Sequence, residues 1–177
     1  WDDIDKIDAY LGQAGQCMAF DFPLFYKMVE VFNHDRPISQ LVDPKHTYVA
    51  RNPSKAITFV ANHDTDKDTF VESVNQYPML AYAFILTYQG YPCLFWKDYF
   101  DYGLSNIGGK EGNGINGLVW VREALTNGDP KIEILNTDIE DILVYGALGE
   151  NQKIPGYIVM INNSDRSQSL QIKTSNR

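Results

Sequence analysis

The stretch Ala56-Ile57-Thr58-Phe59-Val60-Ala61-Asn62-His63-Asp64 decides how the fold is read. Its first five residues form an unbroken apolar and β-branched run, which predicts a strand buried within a parallel sheet. The run ends abruptly in an amide, an imidazole and a carboxylate. In parallel α/β folds, ligand-handling groups gather at that end of a strand. A carboxylate and an imidazole held there can orient a polyhydroxylated substrate and stabilise positive charge. The same triplet also reads as a polar turn in which Asp64 caps the next helix, and spacing alone does not separate the two.

Working outward, the pattern alternates. Asp2-Asp3 lead into Ile4, Ile7 and Leu11, a helical stripe broken by Gly12 and Gly15. Cys17–Phe20 is a short apolar run of strand length. Asp21 and Pro23 predict the start of a second helix, with Leu24, Phe25, Met28, Val29 and Phe32 on one face. Residues 33–55, with three prolines, read as loops around a short helix. A helix is expected from Met79 to Tyr88, ended by Gly90, and a strand over Tyr91–Phe95. Residues 103–117 read as a Gly/Asn-rich loop and Leu118–Thr126 as a helix stopped by Asn127-Gly128-Asp129-Pro130. Strand and helix alternating in this way predict βαβ units on a parallel sheet. After Pro130 the period changes. Residues 131–135, 142–148, 156–161 and 169–173 are short runs between turn clusters, the pattern of an antiparallel β unit.

Composition narrows the function classes. The 177 residues carry 15 Lys+Arg and 23 Asp+Glu, a formal charge of −8 that argues against nucleic-acid binding. No apolar stretch reaches the roughly 18 residues of a membrane span. Cys17 and Cys93 lie in apolar runs and are expected to be buried free thiols. Asp64, Asp66 and Asp68 imitate the start of a calcium loop, but Thr69 replaces its glycine and Asn75 its closing acid, so no metal site is expected. Gly112-Asn113-Gly114-Ile115-Asn116-Gly117 matches a dinucleotide-binding pattern without a strand before it and reads as a loop. Trp96, Tyr99, Phe100 and Tyr102 cluster beyond the third strand run, either as a sugar-stacking surface or as the closure of a barrel rim.

Taken in order, these segments resemble the α-amylase family, glycoside hydrolase family 13, and most of all its archaeal and plant-like branch. Ile57–Thr65 is similar to the family's fourth signature on barrel strand seven. Phe20–Met28 is similar to the segment at strand six, and Ala81–Tyr88 with Gly90–Phe95 and Asp98-Tyr99 to helix seven and strand eight. The resemblance implies an α/β fold: strands six to eight of a TIM (β/α)8 barrel over residues 1–129, then a truncated antiparallel β domain over 130–177. It implies retaining hydrolysis of internal α-1,4 bonds in starch and related α-glucans. Asp64 would be the transition-state stabiliser, His63 a ligand of sugar hydroxyls, Asn62 a support of the turn beside them, and Trp1 part of the cleft lining. The nucleophile and the general acid would lie upstream, the acid two residues before Trp1, so the chain is expected to be a C-terminal fragment that is poorly stable and inactive alone. Calcium would belong to the missing upstream part, with no cofactor in this segment. The partner would be an α-glucan polysaccharide or oligosaccharide, with no nucleic acid or membrane, and the full-length protein would be an extracellular monomer. A non-catalytic carbohydrate-binding barrel relative and a transglycosylase of the same family are the alternatives.

Overall fold

The computed structural model describes residues 2–66, 70–107, 113–136 and 138–172. Helix α1 spans Ile4–Gln13; the Asp3 side chain accepts the Lys6 N–H at 3.1 Å, and Ile4 and Leu11 are buried. Strand β1 is Ala19–Phe20 and helix α2 is Phe22–Asn33, with Pro23 in its first turn. A one-turn helix α3, Tyr48–Arg51, precedes strand β2, Ala56–Phe59. Helix α4, Pro78–Thr87, is apolar all round and buries Ala81, Tyr82, Phe84, Ile85 and Leu86. Strand β3 is Tyr91–Cys93. The three strands form a parallel sheet in the order β1-β2-β3, so the alternation read from the sequence is the βαβ arrangement of the chain.

The edge strands are shorter than their apolar runs. Only residues opposite β2 find ladder partners: Ala19 and Phe20 against Ala56 and Ile57, Tyr91 to Cys93 against Ile57 to Phe59. The register places Phe20, Ile57 and Tyr91 in one row on one face. In that row Phe20 is 46% and Tyr91 53% exposed, whereas Phe59, one step along the same face, is closed off by the rings of Phe20, Phe22 and Phe25. The expectation of buried thiols is wrong. Cys17 and Cys93 are both exposed, because Cys17 lies before β1 and Cys93 on the outer edge strand.

Asp21, between β1 and α2, ties this layer together. Its Oδ1 accepts the N–H of Leu24 at 2.9 Å, capping α2, and the N–H of Tyr48 at 3.1 Å; its Oδ2 accepts the N–H of Val49 at 2.6 Å. One carboxylate thereby satisfies orphan donors at the starts of two helices.

The second layer is antiparallel, order β4-β5-β6, with β4 Ile132–Asn136, β5 Ile142–Asn151 and β6 Ile154–Asn162. The expected strand at 169–173 is absent over 169–172, and Lys173 lies outside the described residues. Beyond β6 the Asn162 side chain accepts the Ser164 N–H and donates to the Arg166 carbonyl, local bonds that turn the chain out of the ladder. The loop expected through 117 is also corrected: helix α5 spans Gly114–Thr126, so Gly114 to Gly117 form its first turn, and Gly112 lies outside the described residues. A Cβ on Gly114 would stand 2.3 Å from the Leu104 carbonyl oxygen, which is why a glycine opens this helix.

The antiparallel layer docks on α4 through its tyrosines. The Tyr145 and Thr87 hydroxyls are 2.6 Å apart, Tyr157 donates to the Thr87 carbonyl at 2.8 Å, and the Tyr145 ring meets Tyr88 edge-on at 5.4 Å. From α5, Arg122 reaches the carbonyls of the cap and turn that follow α4. Its guanidinium donates to Tyr88 and Gly90, each at 2.7 Å, and it is 7% exposed. A cation there sits at the C-terminal end of the helix and satisfies the carbonyls of its cap and of the turn into β3. Arg122→Ala is expected to cost about 3 kcal/mol in chemical denaturation, the scale of leaving buried acceptors unpaired, with Arg122→Lys recovering less than half. A midpoint unchanged by Arg122→Ala would contradict this role.

Candidate functional site

The loop after β2 begins at the C-terminal end of the central strand and turns at once. Asn62 closes the turn: its Oδ1 accepts the N–H of Asp64 at 2.8 Å and of Thr65 at 3.1 Å, and its own N–H donates to the Thr65 hydroxyl at 2.9 Å. This Asx turn uses the Asn62 side-chain oxygen and projects the next two side chains outward. The His63 and Asp64 side chains are 88% and 70% exposed, with Nε2 and Oδ1 3.4 Å apart. Among the described residues Asp64 caps no helix, and the next one, α4, starts at Pro78. Trp1, the remaining sequence candidate, lies outside the described residues.

Two residues further on, the chain plunges inward. Asp66 is 6% exposed; its Oδ2 contacts the Lys97 ammonium and its Oδ1 accepts the Tyr102 hydroxyl at 3.0 Å. Lys97 opens a π-helical turn, Lys97–Asp101, just beyond β3, where Asp98 accepts the Tyr82 hydroxyl at 2.6 Å. The loop after β2 is therefore pinned to the turn after β3. From the other side Asn33, at the end of α2, donates to the Glu72 carboxylate and the Ser73 carbonyl and accepts the N–H groups of Asn75 and Gln76. The His34 contact at 2.9 Å and the Asn33 amide hold the Glu72 carboxyl below the usual carboxylate range. Single-sequence reasoning missed Asp66, Lys97 and Tyr102 as a unit. The one available signal, alternate acids at Asp64 and Asp66, pointed to a metal loop. Among the described residues no group of three or more acids, histidines or cysteines could hold a metal ion.

The site is an open rim. A cleft of 630 Å³ beside the starts of α1 and α2, and another of 660 Å³ on the β5–β6 hairpin, contain none of Asn62, His63 and Asp64. Chemically the rim offers an unburied carboxylate and an imidazole side by side, both open to the hydroxyls of a ligand. On the turn after β3, which Asp66 ties to this loop, stands an exposed aromatic pair: the rings of Trp96 and Phe100 are 4.2 Å apart between centroids, and they are 66% and 57% exposed.

No protein-family model matches the chain. Curated proteins do. An alpha-amylase of Geobacillus stearothermophilus is 36% identical over 109 residues, covering 59% of this chain and 20% of that protein. The cytoplasmic alpha-amylase of Escherichia coli (strain K12) is 28% identical over 176 residues, covering 92% of this chain and 35% of that protein. A glucan 1,4-alpha-maltohexaosidase of Bacillus sp. (strain 707) is 36% identical over 110 residues, covering 60% and 21%. The chain thus spans between a fifth and about a third of the length of these relatives.

Proposed function

We propose that this chain, a relative of the alpha-amylases, is a segment of a retaining enzyme that hydrolyses internal α-1,4 bonds of starch and related α-glucans. The observation that carries the reading is the Asn62-His63-Asp64 turn at the C-terminal end of a central parallel strand, in a chain with relatives named as alpha-amylases. In this reading residues 1–129 supply strands six to eight of a (β/α)8 barrel and residues 130–177 begin a C-terminal β domain. The exposed Phe20 and Tyr91, flanking the half-buried Ile57 in one row, support it, because inward side chains from the remaining strands of a closed barrel would cover that face.

Retaining hydrolysis needs two carboxyl groups, a nucleophile and a general acid, and passes through a positively charged, oxocarbenium-like transition state. Both belong to parts of the barrel other than this segment. Asp64 grips hydroxyls of the distorted sugar and places negative charge beside the developing cation. His63, in contact with that carboxylate, donates to a second hydroxyl. Asn62 holds the turn that sets their spacing, and Trp1 lines the cleft. No cofactor belongs to this segment, calcium belongs with the upstream part, and the whole protein acts as a monomer on a polysaccharide or oligosaccharide. No helix of the described residues is long and apolar enough to cross a membrane. One relative is named as cytoplasmic, so resemblance to the family does not by itself select the extracellular compartment.

The test is release of reducing ends and loss of viscosity from soluble starch, measured for the full-length protein and for the 177-residue chain alone. The full-length protein is expected to cut starch internally, with viscosity falling ahead of reducing-end release. The chain alone is expected to be inactive and to bind hydrophobic dye through its open sheet face. Turnover by the chain alone would refute the division of catalytic groups, and an inert full-length protein would refute the enzymatic reading.

A further inference from the structure

We propose that Trp96 and Phe100 form a stacking subsite for one glucosyl ring of the α-glucan, locked in register with the Asn62–Asp64 turn by the Asp66–Lys97–Tyr102 cluster; this rests on the function proposed above. Among the described residues Tyr48, Tyr82, Tyr145, Phe25, Phe32, Phe59 and Phe84 are fully buried, and Tyr10, Phe70 and Trp120 are exposed singly. Trp96 and Phe100 instead stand out from the end of β3, the strand end at which parallel folds place their ligands. Their rings are tilted by 39°, and Tyr99 supports Phe100 edge-on at 4.7 Å. The Tyr99 hydroxyl in turn donates to Asn116 of α5 at 2.6 Å, so the support is anchored in the fold. A sugar ring presents an apolar C–H face to such rings and keeps its hydroxyls at the edge, where water and polar side chains reach them.

The second observation is the pin between loops. Lys97 follows Trp96 directly, and Asp66 lies two residues after Asp64. Their ion pair, joined by the Tyr102 hydroxyl, has one partner nearly buried and fixes the aromatic pair and the carboxylate turn to a common frame. The π-helical turn that carries Lys97 is a geometry found often at functional sites. A glucan chain crossing the rim therefore meets Asp64 at one unit and the aromatic pair at another.

Initial rates on maltoheptaose, taken with the full-length protein and the variants Trp96→Ala, Trp96→Phe and Phe100→Ala, test this. Trp96→Ala and Phe100→Ala are expected to raise KM about tenfold with kcat within about twofold, the signature of lost uniform binding. Trp96→Phe, which keeps a flat ring, is expected to raise KM no more than about threefold. An unchanged KM in Trp96→Ala overturns the subsite and leaves the hydrolase reading standing. Loss of folded protein in both Trp96 variants also overturns it, because the ring would then be packing against protein. A wild-type protein that cleaves no α-glucan overturns both.

Discussion

Asp64→Asn is expected to lower kcat on α-glucans by on the order of 10³-fold while leaving the fold intact. The side chain is 70% exposed, and among the described residues its neighbouring ionisable side chain is His63, at 3.4 Å. Substitution on such a surface moves stability by less than about 0.5 kcal/mol. Asparagine has nearly the same shape and still accepts a hydrogen bond from a sugar hydroxyl, so KM for maltoheptaose should change by less than about threefold. What it lacks is the negative charge set against the oxocarbenium-like centre, an interaction strongest in the transition state. Three decades in rate correspond to about 4 kcal/mol, the upper range for removing one preorganised electrostatic group. Equal rates for the two proteins would place Asp64 outside the chemistry. A variant that unfolds would give it a structural role that its exposure argues against.

Asp21→Ala is expected to be the most destabilising single change in the described region, costing about 4 kcal/mol. It strips an N-cap from α2 and leaves the buried N–H groups of Leu24, Tyr48 and Val49 without their acceptor. A pH signature distinguishes this from simple loss of volume. Burial pushes the Asp21 carboxyl up to about 6, against the pull of those three N–H donors. The unfolded chain releases the same proton near its ordinary value of 3.8. Between about pH 4 and pH 6 the folded state therefore binds more protons than the unfolded one, and the Asp21 contribution to stability falls as pH rises. Denaturation midpoints measured at pH 4, 5, 6 and 7 should show that fall in the wild type and its loss in Asp21→Ala. Parallel pH profiles for the two proteins would contradict the assignment.

Local signals carried far in this chain, and non-local ones did not. The β-branched run at 56–60 and the Asp21–Pro23 start of α2 are visible because strand composition and helix capping depend on a few adjacent residues. The triplet at 62–64 stands out for the same reason, since polar groups follow directly on a buried run. Cys17 and Cys93 misled because an apolar neighbourhood in sequence does not say which strand lies at an edge. The supposed strand at 169–173 had suitable residues but no ladder over 169–172, and only register against β6 decides that. Asp66 finds Lys97 across 31 positions, and Arg122 finds the Tyr88 carbonyl across 34. Contacts at such separations leave no periodic trace. The start of α5 at Gly114 was hidden by glycines that ordinarily break helices, one of them required here by the nearby Leu104 carbonyl.

The most direct test of the central claim is the anomeric configuration of the first product that the full-length protein releases from maltoheptaose, followed by proton NMR before mutarotation. A retaining α-glucan hydrolase built around the Asn62-His63-Asp64 rim must release the α-anomer. Release of the β-anomer, or binding of maltoheptaose without any cleavage, would contradict it.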